Sequence, residues 1–305
     1  MSWVQVGELA AMLTAMLWTL SAVAWTSAGR YVGAIPVCFI RLVITCGLLV
    51  AYGTLTRGLP LPTDANLEQW TVLGLSGVMG FFLSDLCLFK ALLLIGPRLT
   101  LLIQALMPPL AAIIAWFSLG DGLSQRQWLA MGITLLGVVW VTLERDTKGG
   151  GEEKEPQPAR PHAWRFGLML AFVAAVTQAF GTVLSKMGIG QYDAGAATFI
   201  RVLGAMAGYL ILLTFLGRWR AVRVASRHTR AMTIVTLGSL VGPFAGVILY
   251  MIALRHCPAG IVATIVCTTP VLILPFAIFL FRERVSLRAA GGAVISVLGV
   301  ALFSL

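Results

Sequence analysis

The sequence predicts an all-α integral membrane protein whose ten transmembrane helices form two inverted repeats of five helices each. Three observations support this fold class. The chain has 305 residues, of which 59% are hydrophobic and only 11% are charged, and its mean hydropathy is +0.92. Its apolar residues fall into ten segments that are each long enough to cross a bilayer. The second half of the chain also repeats the first half.

Each crossing needs about 20 apolar residues, and the segments that meet this requirement define the predicted spans. They cover residues 8–28, 34–55, 70–93, 98–118, 126–143, 164–187, 194–216, 229–253, 258–281 and 287–305. Soluble domains carry about 25% charged residues, so a soluble core would not bury this much apolar surface. The loops between the spans are short, which leaves no room for a soluble catalytic domain.

Internal repetition divides the chain into two equivalent halves. Residues 80–143 align without a gap on residues 242–305, an offset of 162 positions, and 16 of these 64 positions are identical. The tripeptide Phe-Ile-Arg at residues 39–41 recurs at residues 199–201, an offset of 160 positions. Because five crossings end on the opposite side of the membrane from their start, we expect the second copy to be inverted.

The predicted domain boundaries follow from this repetition. The first five-helix repeat covers residues 1–144, a flexible charged linker covers residues 145–163, and the second repeat covers residues 164–305. The linker is rich in charge, glycine and proline and has no apolar periodicity. We interpret it as a tether between the halves, with a regulatory tail as the alternative.

The net charge of +10 is carried mainly by short loops beside the spans, so it predicts orientation rather than nucleic-acid binding. Ten crossings place both termini on one side of the membrane. Most Lys and Arg residues lie in the loops of the other side. The positive-inside rule therefore predicts a multi-pass protein of the inner membrane with its basic loops and linker in the cytoplasm and both termini outside. The five cysteines lie in or beside apolar spans and are interpreted as reduced packing residues.

Further motifs recur in both halves. Pro108 in the fourth span precedes the sequence LGDGLS at residues 119–124, and the second half has Pro270 and then FRERVS at residues 281–286. With the 162-residue offset, these motifs resemble the twice-repeated module of the drug/metabolite transporter superfamily, EamA type, over nearly the whole chain. Trp18 begins a WTLSAV stretch that is similar to the first-helix motif of this family, and its repeat counterpart is Phe180.

Within this superfamily the chain is most similar to bacterial exporters of amino acids, including aromatic ones. The resemblance implies a ten-helix arrangement around a central cavity lined by helices 1, 3, 4, 6, 8 and 9. Asp121 stands where the family usually has Glu, so the acidic character of that turn is kept.

Polar residues that share one helix face form the candidate site, since polar groups in hydrocarbon are costly unless they are paired or face a cavity. Prolines in the fourth and ninth spans also free a backbone carbonyl that could bind a substrate ammonium group. The alternative for each residue is an interhelical hydrogen bond. The candidate substrate-binding residues are Thr14, Trp18, Ser21, Trp25, Gly80, Phe81, Ser84, Gln104, Met107, Pro108, Gln178, Phe180, Gly242, Tyr250, Thr264, Thr268 and Pro270.

Some charged residues lie well inside the predicted spans. Asp85 is the candidate for proton coupling, and its structural alternative is an ion pair with Lys90 or Arg98. The repeat counterparts Arg41 and Arg201 are interpreted as snorkelling anchors or helix-end caps, with a direct role in substrate binding as the alternative.

Small residues recur at helical spacing in the third and eighth spans. The third span has Ser76, Gly80 and Ser84. The equivalent positions of the eighth span hold Gly238, Gly242 and Gly246. This spacing lets helix backbones approach closely, so we expect both spans to pack tightly on equivalent neighbours.

These observations predict a transporter that exports amino acids, including aromatic ones, or similar small zwitterionic metabolites by alternating access. Its expected partners are a small-molecule substrate and the lipid bilayer, without a cofactor, metal or nucleic acid. Since each half is a complete unit, a monomer is expected to function. A broad-specificity drug or metabolite efflux protein of the same fold is the first alternative, followed by a channel-like facilitator. An intramembrane lipid-modifying enzyme would need clustered acids or histidines within the spans, which the sequence lacks.

Overall fold

The computed structural model describes residues 3–145, 161–269, 271–272 and 287–304. Every regular element in these ranges is helical. Most of the predicted linker, residues 273–281 of the predicted ninth span and the candidate residue Pro270 lie outside the described residues.

The first half consists of six α-helices and one π-helical segment. They are α1 (Trp3–Val32), α2 (Ala34–Arg57), α3 (Leu67–Gly77), π1 (Val78–Leu83), α4 (Ser84–Gln104), α5 (Met107–Leu119) and α6 (Gln125–Arg145). The described part of the second half runs through α7 (Pro161–Ile189), α8 (Ala194–Phe215), α9 (Trp219–Ser226), α10 (Thr229–Ser239), π2 (Leu240–Gly246), α11 (Val247–His256), α12 (Ala259–Val266) and α13 (Leu287–Ser304).

Eight helical stretches of the described chain are long and apolar enough to cross a membrane. They are Gln5–Gly29, Ile35–Arg57, Leu67–Gly96, Leu99–Leu119, Gln125–Leu143, Ala163–Ile189, Ala194–Phe215 and Thr229–His256. A shorter apolar helix covers Ala290–Phe303. These stretches correspond to the first eight predicted spans and to part of the tenth.

Local signals in the sequence account for the boundaries of several helices. Gly96 has a φ of 75° and interrupts α4, which separates the third predicted span from the fourth. This left-handed conformation is accessible to glycine because it has no side chain. Asn66 caps α3 in a reciprocal arrangement with Gln69. The Asp193 side chain accepts a hydrogen bond from the Ala196 amide and begins α8.

The third and eighth spans each contain a π-helical segment at equivalent positions of the repeat. π1 lies between α3 and α4, and π2 lies between α10 and α11 with Pro243 inside it. Such segments shift the register of the side chains that follow them and are frequent at functional sites. Both halves therefore depart from regular helix geometry at the same place.

Glycines bring the two halves into backbone contact at these spans. A β-carbon on Gly181 of α7 would lie 2.8 Å from the Gly80 α-carbon, and one on Gly242 would lie 2.6 Å from the Ser21 hydroxyl oxygen. The third span thus packs on α7, and the eighth span packs on α1. The predicted tight packing of both spans on equivalent neighbours is confirmed.

Helices that are repeat counterparts of each other pack in an antiparallel arrangement. In the contact between α6 and α13, Gly299 faces Thr134 and Gly292 faces Val141. Residue numbers thus increase along one helix in the direction in which they decrease along the other, so the two helices are antiparallel. α2 runs against α8 in the same way, since Tyr52 contacts Gly195 near the start of α8 whereas Phe39 contacts Trp219, which follows the end of α8 as the first residue of α9.

Candidate functional site

A buried arginine lies where the two halves meet. Arg201 of α8 has an exposed fraction of 2%. Its Nε donates a hydrogen bond to the Ser76 hydroxyl at 3.0 Å, and its Nη1 lies 3.4 Å from the Met251 sulfur. Its guanidinium carbon is 4.5 Å from the Phe81 ring centre and 5.6 Å from that of Tyr250. We call these five residues the Arg201 cluster.

The cluster depends on elements from both halves of the chain. α3 supplies Ser76 and π1 supplies Phe81, whereas α8 and α11 supply the other three residues. A β-carbon on Gly77 would collide with the backbone carbonyl of Arg201, so α3 and α8 touch through their backbones here. This close approach is what places the α3 hydroxyl within reach of the guanidinium.

Three further predicted site residues surround the cluster. The Trp18 ring lies 5.5 Å from the Tyr250 ring, and the Tyr250 hydroxyl donates to Thr182 Oγ1 at 2.7 Å. The position of a Gly80 β-carbon would be 3.6 Å from Arg201 Nη2 and 3.7 Å from the Gln178 side-chain oxygen. A methyl group at this position would therefore contact both the Arg201 guanidinium and the Gln178 amide.

A second buried arginine occupies the equivalent place in the first half. Arg41 forms an ion pair with Asp85 and lies 4.4 Å from the Trp25 ring centre. The predicted pairing of Asp85 with Lys90 is wrong, because Lys90 is exposed and lies beside the Phe166 ring. The side chain of Arg98, the other predicted partner, lies outside the described part of the structure. The interpretation of Arg41 and Arg201 as snorkelling anchors or helix-end caps is also wrong, since their exposed fractions are only 6% and 2%.

Several predicted site hydroxyls have backbone partners. Thr14 donates to the Gly246 carbonyl at 3.2 Å, and Ser84 donates to the Ala174 carbonyl at 3.1 Å, so both join neighbouring helices. Ser21, Thr264 and Thr268 donate to carbonyls of their own helical segments. The contacts of Thr14 and Ser84 match the predicted alternative of an interhelical hydrogen bond, whereas the other three hydroxyls bond within their own segments.

These contacts also show that the predicted repeat counterpart of Trp18 is wrong. The Thr14 contact with Gly246 corresponds to the Ser84 contact with Ala174, so the first span matches α7 at an offset of 160 positions. Gln178, not Phe180, therefore occupies the position equivalent to Trp18. Phe180 has an exposed fraction of 41% and is not part of the Arg201 cluster. The alignment at 162 positions fails here because the loop lengths of the two halves differ.

The remaining predicted residues lie on the fourth span and in π2. Pro108 is buried, and Met107 packs with alanines of α5, α7 and α12. The Gln104 side-chain oxygen is buried without a hydrogen-bond partner in the described structure. Gly242 is buried against Ser21 and the Trp25 ring. None of these four belongs to the Arg201 cluster.

Sequence reasoning did not identify every polar or polarisable residue around the Arg201 cluster. The list of candidate residues omitted Ser76, Thr182 and Met251, and it considered Arg201 only as an alternative. The recurrence of Phe-Ile-Arg in both halves was the available signal for the arginine. It did not reveal burial, because an arginine two turns from a helix end can also reach the membrane surface.

A network of charged and polar residues joins the loops at one end of the bundle. One group of contacts joins Arg57, Asp64, Tyr192, Asp193 and Arg255, and a second joins Asp121 and Lys186. We call these seven residues together the loop network. Lys186 Nζ lies 2.7 Å from Asp121 Oδ2 and also donates to the Cys257 carbonyl. The Tyr192 hydroxyl donates to Asp64 at 2.9 Å. Both contacts connect the first half to the second.

The pKa values of Tyr192 and Asp64, which contact each other, are shifted in opposite directions. Burial and the hydrogen bond to Asp64 raise the pKa of Tyr192 to about 12. Burial acts to raise the pKa of Asp64, but hydrogen bonds from Arg57 and Tyr192 outweigh it and hold that pKa below its ordinary value. The phenol therefore keeps its proton and the carboxyl stays ionised around neutral pH, which preserves this link.

Comparison with known proteins gives a family match over both halves. Residues 5–143 and residues 165–305 each match the model of the EamA-like transporter family. No curated protein matches the chain. One crystal structure of a protein superposes with a TM-score of 0.74 at 20% sequence identity, covering 98% of this chain and 96% of that chain. At this identity the likeness concerns the fold alone.

The Arg41–Asp85 ion pair yields a prediction on stability. Asp85→Asn is expected to lower the free energy of unfolding by about 3–5 kcal/mol, because it leaves a buried arginine without its counter-charge. The double variant Arg41→Gln/Asp85→Asn is expected to recover much of this loss. Equilibrium unfolding in detergent of both single variants and the double variant measures the coupling between the two residues. Strictly additive effects would contradict the structural role of the pair.

Proposed function

The chain belongs to the EamA-like transporter family, and from this premise we propose that it exports amino acids, including aromatic ones, or similar small zwitterionic metabolites by alternating access. Membership of this family makes the chain a multi-pass membrane transporter of the drug/metabolite type. The observation that carries the narrower proposal is the Arg201 cluster, which holds one cation among aromatic and neutral polar groups between the two halves.

We propose that ten membrane helices form two inverted repeats. The antiparallel packing of α6 on α13 and of α2 on α8 supports the inversion. Counterparts that run in opposite directions are related by a twofold axis in the membrane plane, which is the symmetry of inverted-repeat transporters. The eight long apolar stretches, the apolar helix at residues 290–303 and the predicted ninth span, which begins with α12, together account for ten crossings.

The chemistry around the cluster supports a small substrate with an apolar or aromatic part. Trp18, Phe81 and Tyr250 present rings, and Gln178 presents an amide next to the glycine Gly80. Aromatic rings favour offset or edge contacts with another ring. A substrate with several negative charges would need more cations than the one that this cluster provides.

The loop network is proposed to close one end of the transport path. The links of Lys186 with Asp121 and of Tyr192 with Asp64 run between the first and second halves, so movement of one half against the other would break them. The positive-inside rule places this end on the outer side, together with both termini, in the inner membrane. Each chain contributes both halves of the cluster, which supports a functional monomer.

Transport in proteoliposomes tests the proposed substrate class. Wild-type protein is expected to show saturable flux of radiolabelled L-phenylalanine, and Trp18→Ala is expected to lower it about tenfold or more by removing a ring beside Tyr250. Trp116→Ala is the matched control, because Trp116 is exposed on α5. Absence of flux for every aromatic and small aliphatic amino acid, with folded protein, would refute the substrate assignment and favour efflux of other metabolites or drugs.

The same assay tests Asp85 as the proposed coupling residue. Protonation of Asp85 would remove its attraction for Arg41, which links proton binding to a change in a buried contact. An imposed pH gradient is expected to accelerate wild-type flux but not the flux of a folded Asp85→Asn variant. Equal acceleration of both proteins would assign Asp85 to structure alone.

Cysteine labelling tests the proposed closure. Cys257 is buried next to Lys186, whose ammonium binds its backbone carbonyl. In a chain whose other four cysteines are alanine, Lys186→Gln is expected to increase the rate of Cys257 labelling by a membrane-impermeant maleimide several-fold, because the link to Asp121 is lost. Lys90→Gln, which removes an exposed lysine of α4, is the control. An unchanged rate in Lys186→Gln would contradict a closing role for the network.

A further inference from the structure

We propose that Arg201 binds the carboxylate of the transported solute, so that the solute itself supplies the counter-charge of this buried cation. This inference rests on the proposed function and assigns the polar end of its substrate. The site consists of the Arg201 guanidinium, the methyl-sized space beside Gly80 and the rings of Phe81 and Tyr250. Its ligand class is a small monocarboxylate with an apolar side chain.

The first argument is the lack of a protein counter-ion. Among the residues that the structure describes, the ion pairs do not include Arg201. Arginine stays protonated in proteins, and an isolated buried charge is costly. A membrane interior has no bulk water to offset that cost. The chain nevertheless keeps a cation here, and its missing partner has to come from elsewhere.

The second argument is the contrast with Arg41, the repeat counterpart of Arg201. Arg41 is paired with Asp85. The repeat offset of 162 positions places Val247 where the first half has Asp85, and Val247 is buried with an exposed fraction of 1%. The second half therefore keeps the arginine but replaces the acid by an apolar residue. A purely structural arginine would be expected to keep its acid, as Arg41 does.

The third argument is the weakness of the partners that Arg201 does have. A hydroxyl and a thioether accept its two described hydrogen bonds, and sulfur is a weak acceptor. The rings of Phe81 and Tyr250 contribute cation–π attraction, which reduces the cost of burial without using N–H donors. Most of the five N–H donors of the guanidinium have no acceptor among the described residues. A carboxylate could accept two of them side by side.

The fourth argument is the space next to the unused donors. The hydrogen bonds of Arg201 use Nε and Nη1, whereas Nη2 faces the region left free by Gly80. A β-carbon at Gly80 would make only ordinary contacts of 3.6–3.7 Å, so this glycine is not required for packing as Gly77 and Gly181 are. The absent side chain instead leaves room for one methyl-sized group, bounded by the guanidinium, Gln178 and Gly181.

Ligand binding to the intact protein in lipid nanodiscs tests the assignment. The probes are L-phenylalanine, 3-phenylpropanoate, which lacks the ammonium group, and L-phenylalaninamide, which lacks the carboxylate. Both carboxylates are expected to bind. The amide is expected to bind at least about tenfold more weakly, because it loses one charge-assisted contact. Arg201→Gln is expected to weaken both carboxylates and to abolish their advantage over the amide. Arg201→Lys is expected to keep part of it.

A substitution at Val247 provides a variant that keeps the arginine. Val247→Asp gives Arg201 the internal acid that Arg41 has, and is expected to abolish carboxylate binding while the protein remains folded. Val247→Asn, of the same shape but uncharged, is the matched control and is expected to retain carboxylate binding. Melting temperatures in the same nanodiscs identify any variant that fails to fold, and the three-ligand series on wild-type protein does not depend on any variant.

The outcomes separate this inference from the proposed function. Equal binding of phenylalanine and its amide, or unchanged carboxylate binding by folded Arg201→Gln, would overturn the inference even if phenylalanine is transported. Arg201-dependent binding of phenylpropanoate alone would support the inference and refute amino acids as substrates. Failure of folded wild-type protein to bind any of the three probes would overturn both.

Discussion

Backbone contact between the two halves is the constraint on which the candidate site depends. Gly181 lies against Gly80, and Gly77 lies against the carbonyl of Arg201, at distances that no larger residue would allow. These contacts bring α3 and π1 of the first half against α7 and α8 of the second. Without them Ser76 and Phe81 would not reach the guanidinium. Small residues thus do more than permit packing, because they determine which polar groups meet.

The halves are equivalent in their packing but not in their charges. Arg41 and Arg201 occupy equivalent positions, yet only Arg41 has an acidic partner among the described residues. The first half contains the ion pair of the buried Arg41 with Asp85, whereas in the second half Arg201 lies among aromatic rings and neutral groups. A repeated scaffold with one altered position therefore pairs the buried arginine of the first half and leaves that of the second half without an acid among the described residues. The loop network adds links between the two at one end of the bundle.

Composition and repetition were sufficient to predict the helical membrane fold and the tight packing of two spans, because hydrophobic length and small-residue spacing act locally. They were not sufficient for the site. The pairing of Arg41 with Asp85 joins residues of different helices, and a sequence does not reveal which of several nearby cations an acid will meet. Trp18 was matched with Phe180 rather than Gln178, since a small difference in loop length shifts the register by two positions. The π-helical segments were not predicted either, because they arise from tertiary packing rather than from local propensity.

A structure of the protein with bound L-phenylalanine tests the central claim most directly. The account predicts that the ligand carboxylate lies within about 3 Å of the Arg201 guanidinium, with its ring against Trp18, Phe81 or Tyr250. A ligand bound elsewhere in the bundle, with Arg201 making the same neutral contacts as before, would contradict it.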